Sequence, residues 1–68
     1  MEIEIRDEFI KLGQLLKLSG LVDSGTEAKF VILDEKVSVN GEVCTMRGKK
    51  IYKGDEVSYN GTTVRVKS

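Results

Sequence analysis

An Asn-Gly pair between two short apolar-bearing segments leaves a chain little freedom. Asn40-Gly41 separates Val37-Ser38-Val39 from Glu42-Val43. Both central residues of a type I′ turn need positive φ, which Asn-Gly supplies more readily than other pairs. A hairpin is predicted, with Val39 opposite Glu42 and Val37 opposite Cys44. Just upstream, Ser24 and Glu27 have capping-box spacing. Ala28, Val31 and Ile32 recur at helical spacing and mark one apolar face, and Lys29 falls outside that stripe. Residues 24–43 therefore predict a capped helix running without a long linker into a tight hairpin.

The flanks are read around that unit. Glu2-Ile3-Glu4-Ile5 alternates polar and apolar residues, which predicts a short half-buried strand whose charges suit a sheet edge. Asp7 is a candidate cap for a helix over 9–19, where Leu12, Leu15, Leu16 and Ser19 fall at i, i+3, i+4, i+7. Gly13 costs that helix ~1 kcal/mol relative to alanine. It either delays the start or admits another backbone. Gly20 predicts a left-handed close with Leu21 folding back on Leu16. Val22-Asp23 then bends into the second helix, after which Lys36 is expected to take a left-handed conformation.

Downstream, residues 45–50 read as a loop, Ile51-Tyr52 as a short apolar step and Lys53-Gly54-Asp55 as a turn. Residues 56–67 predict a second hairpin closed by Asn60-Gly61. Its register sets Tyr59 against Thr62, Val57 against Val64 and Glu56 against Arg65. Val57, Tyr59, Val64 and Val66 share one face, so one side of the sheet should rest on the helices. The fold class is α+β, with two packed short helices followed by β-hairpins that form a small, mainly antiparallel sheet. Residues 1–68 are read as a single domain.

Catalysis finds no support in the residues. The chain has 68 residues and no histidine, so the commonest general base and metal ligand is missing. Cys44 lacks an activating partner. Asp34-Glu35 and Asp55-Glu56 read as solvated acids and caps near turns. No phosphate-loop, dinucleotide or zinc spacing occurs. A chain this short buries only ~60% of its unfolded surface, which leaves no deep cleft. The expectation is a protein that is not an enzyme and takes no cofactor and no metal. A single cysteine makes no internal disulfide, and Cys44 is expected to be a small buried hydrophobe. No apolar run approaches the ~20 residues of a membrane span. The acidic start is unlike a signal peptide, so a cytoplasmic location is expected.

Eleven basic and eleven acidic residues give zero net charge, which argues against a nucleic-acid binder. The signs are segregated, however. Glu2, Glu4, Asp7 and Glu8 outweigh Arg6 at the start, whereas Arg47, Lys49, Lys50 and Lys53 come with no acid between them. Phosphate responds to that local field rather than to the total. Ser24, Gly25 and Thr26 supply amides at a helix N-terminus, a setting that favours anions. Lys29 lies on the same helix and Lys11 and Lys17 on the first, while Gly48 lets the loop backbone approach a ligand closely.

These pieces also occur in a recognisable order: Leu12, Leu15 and Leu16; Gly20-Leu21; Ser24 with Ala28; Val37-Ser38-Val39-Asn40-Gly41; and Gly54-Asp55. In that order they resemble the S-four-type RNA-binding domain, or alpha-L motif, from Leu12 to Val57. The short length and Arg47-Gly48-Lys49-Lys50 make the chain most similar to short stand-alone bacterial members of the YaaA/YbcJ type. The resemblance implies a basic groove beside the helices and hairpin that binds structured RNA of the ribosomal or transfer RNA class. It sets Ser24, Thr26 and Lys29 in the family's contact region. With the cations read above, the candidate RNA-binding residues are Lys17, Ser24, Thr26, Lys29, Arg47, Lys49, Lys50 and Lys53.

Two departures shift weight toward Lys29 and the loop. Gly25 stands where many members carry arginine, and Glu27 adds an acid. Tyr52 is a candidate for base stacking, though a buried or sheet-packed ring is the favoured reading. The rival function is a small protein-interaction module, ribosome-associated or beta-grasp-like. Sulfur carriers of the latter kind end in Gly-Gly, whereas this chain ends Val66-Lys67-Ser68. A ribosomal or other protein partner stays open. A monomer is expected, with a homodimer through residues 1–5 as the alternative.

Overall fold

Asn40 and Asn60 adopt φ of 51° and 52°, and the glycines after them 86° and 81°, so both Asn-Gly pairs form the expected turns. Around them the computed structural model describes residues 1–67. The elements run β1 (Glu2–Glu4), β2 (Phe9–Lys11), α1 (Leu12–Leu18), α2 (Gly25–Leu33), β3 (Val37–Val39), β4 (Glu42–Val43), β5 (Lys50–Tyr52), β6 (Glu56–Tyr59) and β7 (Thr62–Lys67). The larger sheet has the order β1-β7-β6-β3-β4. Its pairs are antiparallel except β1 with β7, which is parallel. The second hairpin keeps the predicted register, with Glu56 opposite Arg65 and Tyr59 opposite Thr62.

One face of this sheet is covered by the helices. Val37, Val39, Val57, Val64 and Val66 meet Leu12, Leu15 and Leu16 of α1 and Ala28 and Ile32 of α2 in one buried cluster. Each such aliphatic side chain contributes about 1.5–3 kcal/mol when fully buried. Helix α1 closes as predicted. Gly20 has φ 79°, its N–H donates to Lys17 O at 3.1 Å, and the Leu21 N–H donates to Leu16 O at 3.1 Å. That pair of bonds is a Schellman close.

Three expectations are corrected. The helix expected over 9–19 begins at Leu12, and Asp7 does not cap it. Phe9–Lys11 instead forms a strand against Lys50–Tyr52, in a separate two-stranded antiparallel sheet. Pairing with β5 satisfies the backbone of this segment and sets Ile10 opposite the buried Ile51. The left-handed residue after α2 is Glu35, with φ 61°, and not Lys36. The Glu35 and Lys36 amides donate to Ile32 O and Val31 O, so the helix closes one residue earlier than expected. A residue with a Cβ there costs roughly 1–2 kcal/mol. Finally, Cys44 is half-buried, its Sγ 3.7 Å from Met46 O. Among the described residues no helix is long and apolar enough to cross a membrane.

Candidate nucleic-acid interface

The segment between β4 and β5 has weak local signals, yet it is tied down at two points. The Leu12 N–H donates to Lys49 O at 2.9 Å, and the Gly13 N–H to Arg47 O at 3.0 Å. These are the first two amides of α1, which no side chain caps. The carbonyls of the basic loop therefore serve as the cap. A Cβ at Gly13 would lie 3.6 Å from Arg47 O, an ordinary contact. With its carbonyls turned to the helix, the loop carries Arg47, Lys49 and Lys50 as exposed side chains.

A second tie joins the two motifs that the resemblance singled out. The Asn40 side chain accepts from the Glu56 N–H through Oδ1 at 2.9 Å and donates through Nδ2 to Asp55 Oδ1 at 3.1 Å. The other Asp55 oxygen accepts from the Tyr52 N–H at 2.8 Å. One carboxylate thus links the first hairpin to the end of β5. Asp55 and Asn40 hold the site together: the bond to the Tyr52 amide is the turn cap expected of this acid, and the bond to Asn40 is an addition to that expectation. What could have revealed the tie is the pairing of Asn-Gly with a later Gly-Asp, which shows no partnership until the chain is folded.

Here lies an open groove of about 580 Å³, lined by Asn40, Glu42 and Val43 of the first hairpin, by Met46, Lys49, Lys50 and Tyr52, and by Asp55. Its lining is mixed, and the apolar side chains in it are exposed beside the lysines. Met46 is 65% exposed, Val43 55% and Tyr52 43%. Tyr52 is therefore not buried. It is packed on its strand neighbour Phe9, with ring centroids 6.0 Å apart and planes at 52°. The Lys50 ammonium lies 4.9 Å from the centre of the Phe9 ring, close enough for a cation–π attraction.

The structure gathers only part of the predicted set. Lys49 and Lys50 share this groove, Arg47 sits in the loop that borders it, and Lys53 follows in the turn after β5. Lys17 lines a different groove, of about 790 Å³, together with Glu4, Arg6, Asp7 and Gln14. Ser24, Thr26 and Lys29 are exposed on α2 and line neither groove. Ser24 is engaged as the helix cap, its Oγ accepting from the Glu27 N–H at 3.2 Å. Glu27 reaches back to the Asp23 N–H at 2.8 Å, one residue before the cap. Among the described residues the ion pairs are Lys36–Asp34 and Lys67–Glu2. Lys17, Lys29, Arg47, Lys49, Lys50 and Lys53 enter neither, so their charges are not neutralised by a direct carboxylate contact.

Two short helices turning into an Asn-Gly hairpin, with the hairpin fastened to a Gly-Asp turn, define an alpha-L module. Comparison with known proteins agrees. The S4 domain profile matches residues 3–67. The "Probable ribosome maturation protein RlbA" of Bacillus subtilis is 44% identical over 59 residues, covering 87% of this chain and 83% of that protein. YbcJ of Escherichia coli is 42% identical over 57 residues, covering 84% and 81%. The solution structure of YbcJ, described as revealing an alpha-L motif involved in RNA-binding, superposes with a TM-score of 0.76. That match has 35% identity and covers 98% of this chain and 86% of that one. The chain belongs to the S4 domain family.

Proposed function

We propose that this protein is a cytoplasmic, non-catalytic RNA-binding module that takes structured RNA of the ribosomal or transfer RNA class. The observation that carries the reading is a run of cations without carboxylate partners among the described residues, on and beside a loop whose own backbone is fastened to α1. A tethered loop presents its charges with less entropy to lose on binding. Lys49 and Lys50 are the central phosphate contacts, with Arg47 and Lys53 flanking them. Lys17, Ser24, Thr26 and Lys29 form an outer set, met only by an RNA large enough to wrap the helices. Family membership and the RNA-binding motif described for YbcJ support RNA as the ligand. The name ribosome maturation protein borne by RlbA supports a ribosomal target.

Salt-titrated binding to purified ribosomal RNA and bulk transfer RNA tests this. Binding should fall with a negative log–log slope of several units, reduced by about one for each phosphate-contacting lysine replaced. Lys49→Ala/Lys50→Ala should lower the slope by about two. Absence of binding at low salt would overturn the reading. One observation favours a protein partner as a second reading: Phe30 and Leu33, one helical turn apart on α2, are 64% and 57% exposed. An apolar surface of this kind marks interaction sites when it is contiguous.

A further inference from the structure

We infer that the groove between β4 and β5 is a site for one unpaired nucleotide of the bound RNA, its base lodged against Tyr52. The inference rests on the RNA-binding reading and goes beyond it. Phosphate recognition accounts for Lys49 and Lys50, but it gives no role to the exposed Tyr52 ring and the apolar side chains beside them. Val43, Met46 and Tyr52 expose much of their surface there, beside the two lysines.

Tyr52 is held for such a task. Its backbone N–H is fixed by Asp55, and Phe9 packs on its ring from the neighbouring strand. A ring braced in this way loses little freedom when a base stacks on it, and stacking tolerates any base because each has a π-face. The charges set the direction of entry. Glu42 and Asp55 line the groove and repel phosphate, whereas Lys49 and Lys50 attract it. The phosphate of the nucleotide therefore sits at the lysines, and the base reaches Tyr52, two positions beyond Lys50 on the same face of β5. A fully paired helix keeps its bases stacked inside and offers none to Tyr52, so the groove selects bulges and loops.

The test uses the full chain and three labelled two-strand RNA duplexes without loops: one fully paired, one with a single-nucleotide bulge, and one with an abasic residue at the bulge. The bulged duplex should bind on the order of tenfold more tightly than either of the others. Tyr52→Leu, which keeps an apolar residue in the strand, should erase that preference, so that the variant binds the bulged and the abasic duplex alike. Tyr52→Phe should retain it. The amide chemical shift of Tyr52 should move further with the bulged RNA than with the abasic one. Equal affinity for all three duplexes, insensitive to Tyr52→Leu, would overturn the inference and leave the RNA-binding reading standing. Failure of the wild type to bind any duplex at low salt would remove both.

Discussion

Helices α1 and α2 lie side by side over the same sheet, and they begin by opposite means. Helix α2 carries its own start signal: Ser24 caps the Glu27 amide, and Glu27 returns a bond to the Asp23 N–H. Helix α1 has no side-chain cap. Its first two amides wait for the carbonyls of Lys49 and Arg47, far along the chain. A local cap is independent of the rest of the fold. A distant one makes helix and loop a single object, so whatever moves the basic loop is felt at the start of α1. The candidate interface sits on the second kind of joint.

The contrast can be broken or sharpened by substitution. The largest effect tests what the helices share. Leu16→Ala and Ile32→Ala remove buried side chains from one cluster, and each should cost about 2–5 kcal/mol in urea denaturation. A two-step curve for either would mean that the helices do not share a core. Next comes the joint itself. Gly13→Pro deletes the N–H that donates to Arg47 O and should cost about 1–3 kcal/mol. It should also alter amide shifts across residues 46–49 and weaken RNA binding; unaltered loop shifts would deny the coupling.

Ser24→Ala, at the self-contained end, should cost about 1 kcal/mol. Faster hydrogen exchange should be confined to the first turn of α2, and the basic loop should keep its shifts. The smallest effect has the opposite sign. Gly25 is the first residue of α2, follows an extended Ser24 (φ −150°, ψ 165°), and has open space where a Cβ would lie. Gly25→Pro should therefore stabilise by about 0.4–1 kcal/mol, read as a higher Tm. Prolines entering the first turns of the two helices would then act in opposite directions, as a distant and a local cap require.

The same distinction governs what could be read from the residues in advance. Both hairpins, their registers, the cap of α2 and the Gly20 close are dictated by neighbours a few positions apart, and a pattern reader sees them. The β2–β5 pair is different. Phe9-Ile10-Lys11 leads straight into a leucine-bearing helical pattern, and three residues hold too little periodicity to mark a strand whose partner is far away. Glu35 was missed because glycine is the usual signal for positive φ. At the site, the cations of the loop were visible as a run of like charge. Neither the grouping of Lys49 and Lys50 with Tyr52 nor the separation of Lys17 was visible, because the groove walls come from distant segments. Asp55 was the least legible of all, since its role lies in a bond to Asn40.

The parallel pairing of β1 with β7 sets a timetable. Glu2, Ile3 and Glu4 lie beside Arg65, Val66 and Lys67, so during synthesis the first strand leaves the ribosome long before its neighbour exists. Both helices and the first hairpin can assemble while that strand waits, and joining such remote segments carries the largest loop-closure entropy in the fold. The charges of Glu2 and Glu4 protect the waiting strand from pairing with other chains. The larger sheet gains its parallel edge only when Arg65–Lys67 have emerged to pair with Glu2–Glu4.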